Sequence, residues 1–204
     1  MSTPLDLARR LLALSQTGLH FTENVFERER YAEVQQIAAQ LLALGSSHEA
    51  SALLDAWQVE QGYATPKIDV RGAIFRDDQV LLVRERSDGK WTLPGGWADV
   101  NEGPRQAVEK EILQESGYIA AAAKLAAVHD RAKRNYPAFL FHIWKHFFIC
   151  DITGGESRTS IETDAVEFFD VHQLPVLSTG RTTTEQIARM YQHHLDRSLP
   201  TDFD

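Results

Sequence analysis

Apolar positions recur at helical spacing over the first sixty or so residues, and from Lys67 onward they switch to alternation and short apolar runs. Leu5, Leu7, Leu11, Leu12 and Leu14 mark a first helix, which Gly18 is expected to stop. Asn24 offers a cap for a second, carrying Val25, Tyr31, Val34, Ile37, Ala38, Leu41 and Leu42 as far as Gly45. A third is expected from Glu49 to Glu60, with Leu53, Leu54 and Trp57 on one face and Gly62 beyond its end. Three amphipathic helices of this size bury little alone, so their apolar stripes need a partner, either the rest of the chain or a second copy. Residues 1–65 are expected to form a helical domain, Tyr63–Pro66 a linker, and residues 66–204 a second domain.

Ile68–Phe75 alternates, Asp77-Asp78 turns the chain, and Gln79–Arg84 answers as the second arm of a hairpin. Trp91-Thr92-Leu93 is a short third run. Further strands are expected at Tyr118–Asp130 and at the aromatic-rich Phe139–Asp151, with a loop from Gly154-Gly155 and a last strand at Ala165–Phe169. The spacing Thr182-x-x-Glu185 predicts a capped final helix running to about His194.

Between these strands lies the stretch with chemical content, Gly95–Tyr118. Gly95-Gly96 ends an apolar run, as a chain does when it turns out of a strand, and glycine accepts positive φ without steric cost. Pro104 suits the first position of a helix and Gly117 its stop. On that helix Ala107, Val108, Ile112 and Leu113 supply the inward face. Glu111 and Glu115, four apart, project from one side. Like charges at that spacing repel, which either a solvated acidic face or a divalent cation would offset.

The longer spacing favours the cation. Gly96, five residues, Glu102, seven residues, then Lys110-Glu111-Ile112-Leu113-Gln114-Glu115-Ser116-Gly117-Tyr118 resembles the Nudix box, G-x5-E-x7-R-E-U-x-E-E-x-G-U, with U aliphatic or aromatic. Two positions depart from it: Lys110 stands where the family has arginine, and Gln114 where it has the first glutamate of a pair. The order β-β-β-α-β-β-β-α matches what the resemblance implies, an α/β/α sandwich with a mixed sheet, here preceded by the small helical domain. The long N-terminal extension, PGGWADVNEG and EQIARMYQHH look like a bacterial branch whose members hydrolyse nucleoside diphosphates linked to another moiety, of the ADP-ribose or CDP-choline type. The branch is dimeric through the helical extension, so the resemblance implies a homodimer in which residues 1–65 also wall the substrate. Phe21, Phe26 and Tyr31 are the aromatic candidates there.

The resemblance implies hydrolysis of a P–O–P bridge with Mg²⁺ or Mn²⁺. It places Glu111 and Glu115 as metal ligands, Gln114 as a weaker uncharged one, and Glu102 with Lys110 as a supporting pair. Lysine lacks arginine's planar fork, so that support should be looser. An additional catalytic acid is expected outside the box, Glu162 first, then Asp164 and Glu167. Arg71 and Arg84 are the expected phosphate contacts, with Gly95 and Gly96 against the substrate; Arg86 is a further candidate. Asp130-Arg131 and Lys133-Arg134 read as a solvated basic loop, and His193-His194 as non-ligands. The alternative is a nucleotide-binding regulatory module whose box has weakened at Lys110 and Gln114.

With 29 acidic against 21 basic residues, a net charge of −8 argues against a nucleic-acid-binding role without excluding a small phosphorylated ligand. The single cysteine, Cys150, admits no intramolecular disulfide, and no apolar run reaches membrane-spanning length. A cytoplasmic protein is the expectation.

Overall fold

The structure, a computed structural model, describes residues 3–44, 49–137 and 139–204. Two compact units emerge, one from the described residues of 1–66 and 138–142, the other from those of 67–137 and 143–204. In the first unit α1 (Pro4–Phe21) is capped by Thr3, whose side chain accepts from Asp6 N–H. Asn24 caps α2 (Val25–Ala43) by accepting from Phe26 and Glu27 N–H, and α3 (Ala50–Gln58) follows. The expected end of the second helix, Gly45, lies outside the described residues. Gly18 does not stop α1. A Cβ there would lie 2.4 Å from the Tyr31 ring, so glycine serves the close approach of two helices. Ala8, Leu12, Ala38, Leu42 and Trp57 form the core, with Leu140 and Phe141 packed on it.

That packing corrects one strand. Phe139–His142 belongs to the helical unit, where Phe141 stacks on Trp57 with ring centroids 5.6 Å apart. The strand expected from Phe139 starts at Ile143 and carries through Gly154-Gly155, which were expected in a loop. Aromatic content there marked packing of Phe141 against the helices, not extended backbone.

In the second unit β1 (Lys67–Arg76), β2 (Gln79–Glu85) and β3 (Trp91–Thr92) precede α4 (Pro104–Ser116). Then come β4 (Tyr118–Asp130), β5 (Ile143–Gly155), β6 (Thr163–Asp170), α5 (Thr184–Leu195) and β7 (Asp202–Phe203). The sheet order is β3-β2-β1-β5-β4-β7, with β6 paired to β2. β1 runs parallel to β5 and the remaining long pairings are antiparallel, so the sheet is mixed. Alternation sorts the core into two layers. Val80, Leu82, Phe147 and Ile149 pack under Ile187 and Met190 of α5, whereas Leu81, Phe148 and Cys150 pack under Ala107, Val108 and Ile112 of α4. Leu113, expected inward on α4, is exposed. The cap of α5 is Thr183 with Gln186, one residue later than the spacing suggested; Thr182 is buried and bonds the Thr92 hydroxyl instead. Strand β7 has too few residues to leave a period and was not foreseen. Among the described residues no helix is long and apolar enough to cross a membrane.

Candidate active site

After β3 the chain runs back along β1. Gly72 and Val70 N–H donate to the carbonyls of Pro94 and Gly96, at 2.9 and 2.8 Å. Gly95 is held at φ +144°, and a Cβ on it would lie 2.0 Å from the Val70 carbonyl oxygen, so only glycine fits. This close passage turns the Gly95 N–H onto Glu115, whose Oε2 accepts at 2.8 Å. At Gly96 a Cβ would meet Glu111 Oε2 at 3.0 Å. Gly96 therefore makes room for the Glu111 carboxylate, and Gly95 for the close passage along β1 that aims its N–H at Glu115.

Helix α4 delivers those carboxylates. Pro104 opens it, Gln106 reaches back to accept from Gly103 N–H at 3.0 Å, and Gly117, at φ +78°, closes it by donating to Leu113 C=O. Gly72 lets the helix sit low on the sheet, since a Cβ there would be 2.5 Å from Ile112 Cδ1. One turn apart on the same helix, Glu111 is half-buried and Glu115 buried, while Gln114 is exposed. Lys110 Nζ lies 2.9 Å from Glu102 Oε2 and 2.7 Å from Asp99 Oδ2. Asp99 was not among the residues singled out from the sequence.

The charges around Glu115 are unevenly matched. Burial pushes its pKa up to about 8, and Glu85 and Glu111 add to the rise; Arg71 and the Gly95 N–H oppose it. Glu111 is also raised by burial, with Glu162 and Asp99 contributing. Glu85 behaves likewise, raised by burial and by Asp88 and Glu162 against Arg181 and Arg71. Four glutamates thus sense one another: Glu85, Glu111, Glu115 and Glu162. Sequence reasoning missed Glu85, although it named the arginines on either side of it. Alternation along β2 was the available signal, because it puts residue 85 on the face opposite Arg84 and Arg86. Glu85 is buried with Arg181 Nε 3.1 Å away. Glu162 is exposed, its loop tied down where Arg86 N–H donates to its carbonyl and Thr163 Oγ1 to the carbonyl of Glu115.

Arg71, expected at a phosphate, is buried with its fork closed on Asp69 (Nε–Oδ1 2.9 Å, Nη2–Oδ2 2.8 Å) and its Nη1 on the Leu93 carbonyl. Lys145 Nζ shares Asp69 Oδ1 at 2.9 Å. Arg84 lies on the α5 face, paired with Asp164 at 2.6 Å and stacked over Trp91. Arg86 donates to the Ser160 carbonyl. Glu167, the remaining reserve acid, is exposed on β6. His193, read as a non-ligand, is fully buried between Lys124 and Asp202.

Among the described residues, no three His, Cys, Asp or Glu side chains converge into a ready-made metal cluster. The donor chemistry nevertheless suits a hard divalent cation: oxygen ligands only, anionic, two of them one turn apart and short of compensating positive charge.

Residues 65–191 match the family model for the NUDIX domain, and residues 3–57 match a model described as a UDP-X-like, N-terminal oligomerisation domain. The chain belongs to the Nudix family. It is a Nudix hydrolase, 41% identical over 98% of its length to a Bacillus subtilis protein named putative ADP-ribose pyrophosphatase YjhB, of which it covers 96%. A solved ADP-ribose pyrophosphatase from Streptococcus suis superimposes with a TM-score of 0.64 at 40% identity, over 69% of this chain and all of that one. A solved UDP-X diphosphatase superimposes with a TM-score of 0.65 at 31% identity, over 98% of this chain and 97% of that one. The mixed sheet between helices, with a helical region before it, is the Nudix fold.

Proposed function

We propose that this Nudix hydrolase cleaves the pyrophosphate bond of a nucleoside diphosphate linked to a second moiety, of the ADP-ribose type or, as an alternative, the CDP-choline type. The observation that carries the reading is Glu115: a buried carboxylate held by the Gly95 N–H, with Glu85 and Glu111 beside it and too little positive charge to neutralise the group. Such a group calls for a cation, and Glu111 and Glu115 would hold Mg²⁺ or Mn²⁺, with Gln114 within one turn of both. When bound, the ion neutralises phosphate oxygens and lowers the pKa of attacking water.

The chain's own residues do the rest. Glu102, Asp99 and Lys110 form a charged clasp beside Glu111 that steadies the helix carrying the ligands. Gly96, half-buried beside the Glu111 carboxylate, leaves room there for a diphosphate to approach, whereas Gly95, expected against the substrate, is buried on β1 with its N–H committed to Glu115. Glu162, exposed and within electrostatic reach of Glu111 and Glu85, takes the proton from the attacking water. Arg71 acts from below, oriented by Asp69 to balance Glu115 and Glu85, and Arg181 does the same beside Glu85.

Residues 1–65 pair two copies. Phe21, Val25, Phe26 and Leu14 remain exposed around the α1–α2 turn and offer apolar surface for that pairing. Full-length protein should sediment as a dimer at micromolar concentration; a monomer would refute the pairing. For activity, ADP-ribose, CDP-choline, NADH, dinucleoside polyphosphates and 8-oxo-dGTP would be compared with Mg²⁺ and with Mn²⁺, reading released phosphates. ADP-ribose is expected to turn over fastest. No hydrolysis of any substrate with either ion would overturn the catalytic reading in favour of a regulatory module.

A further inference from the structure

The basic run Arg131–Arg134 is not a plain solvated loop. It borders a cleft of about 720 Å³ between the end of β4, the start of α5 and the segment after α5, a volume in the range of small-molecule sites. His129 lines that cleft. It is 3% exposed, and neither ring nitrogen has a hydrogen-bond partner, which is costly for a buried polar group unless something arrives to meet it. Burial lowers its pKa, aided by Arg134 and opposed by Asp204 and Asp202, so the neutral ring offers one donor and one acceptor.

The two arginines lining this cleft are occupied by the chain's own carboxylates. Arg189 grips Asp202 through Nε and Nη2, at 2.5 and 2.7 Å. Arg134 Nη2 donates to Asp204 Oδ1 at 2.6 Å, while Asp130 N–H donates to the other oxygen at 2.7 Å. The segment that brings these acids has two register pairs with β4, Ala127–Asp202 and Val128–Phe203, and a hydrogen bond from Thr201 Oγ1 to the Leu125 carbonyl. Glu185, the other acid of the lining, is engaged by the first turn of its own helix and by Thr183. Guanidinium forks that fit a carboxylate fit a phosphate equally well, and a phosphomonoester carries nearly twice the charge.

We propose that this cleft binds a phosphorylated sugar, and that Asp204 is a built-in competitor occupying the phosphate's place on Arg134. His129 meets the sugar hydroxyls, and Lys133 and Arg189 border the phosphate. The class includes the two phosphomonoesters that hydrolysis of an ADP-ribose-type substrate would release. The proposal does not depend on that activity, because it is tested without metal and turnover is measured separately.

The test is titration calorimetry of the full chain in EDTA, with ribose 5-phosphate, AMP and inorganic phosphate as probes. Asp204→Asn should bind both sugar phosphates about fivefold more tightly than wild type, and Arg134→Gln at least about tenfold more weakly, single charged contacts being worth roughly that much. Both positions are near the surface, so folding is preserved. His129→Phe should weaken the two sugar phosphates while leaving inorganic phosphate unchanged. The proposal fails if none of the three probes binds, if Asp204→Asn binds no more tightly than wild type, or if inorganic phosphate binds as tightly as ribose 5-phosphate.

Discussion

Asp69 and Glu115 are both buried acids near the same end of the sheet, yet their ionisation is driven in opposite directions. Burial raises both. At Asp69 the direct contacts of Arg71 and Lys145 overturn that rise and bring the pKa down to about 2. At Glu115, among the described residues, no cation makes contact, the Gly95 N–H alone donates, and neighbouring carboxylates push further, to about 8. Burial sets the stakes and the partners set the sign. The Asp69 group is closed, with its charge satisfied inside the protein. The Glu115 group is open, and under the proposed metal-dependent function its missing partner comes from solution, as in a binding centre and unlike a scaffold of similar composition.

Breaking the closed group should have the largest effect on the fold. Asp69→Asn strands Arg71 and Lys145 without their carboxylate, and loss of one partner from a buried ionic group costs about 3–5 kcal/mol. Urea denaturation should show that loss, with the transition remaining cooperative. Breaking the open group should leave the fold alone and remove activity. Glu115→Gln keeps shape and the Gly95 contact but deletes a ligand charge, so kcat/KM should fall by more than about 100-fold, beyond the usual cost of losing a supporting group. Equal losses of stability in the two variants would erase the distinction between them.

The pH dependence sharpens the comparison. Glu115 titrates near 8 in the fold against about 4.3 in an unfolded chain. Its contribution is therefore fully present below about 4.3 and is lost as pH rises through 8. Asp69 titrates near 2 against about 3.9 unfolded, so its contribution is present above 3.9 and lost as pH falls towards 2. In metal-free protein, Tm should decline between pH 5 and 8 more steeply in wild type than in Glu115→Gln. Mg²⁺ at pH 8 should restore part of the difference in wild type only.

The smallest effect is the most specific to this box. Gln114→Glu adds a third acid to the exposed flank of the open group, one turn from Glu111. The half-saturating Mg²⁺ concentration should drop severalfold, with a slight loss of metal-free stability from like-charge repulsion. Titrations of Mg²⁺ against hydrolysis for the two proteins measure this directly, and coincident curves would mean that residue 114 faces away from the ion.

Much of the protein follows from local chemistry. The spacing from Gly96 to Tyr118 specified the helix, its proline start, its glycine stop and the placement of Glu111 and Glu115 one turn apart, because a 3.6-residue period turns sequence distance directly into facing. Alternation from Lys67 onward located the strands and the hairpin, and Asn24 announced a helix start. Tertiary structure alone decided the rest. Gly18 was a helix stop by composition and became a contact with Tyr31, since propensity yields to what the neighbouring helix presents. Leu140 and Phe141 looked like strand residues and went to pack on the helical core. From the sequence alone, Arg71 could have been a phosphate contact or a surface charge, and Glu85 a metal ligand or a surface charge. Alternation already sets Asp69 and Arg71 on one face of β1, but only the register of β1 on β5 put Lys145 opposite Asp69, and only the packing of α4 on the sheet brought Glu115 near Glu85; such pairings lie dozens of residues apart and no local period encodes them. The type of each residue was written in the chain; its partner, and hence the sign of its charge effect, came from packing.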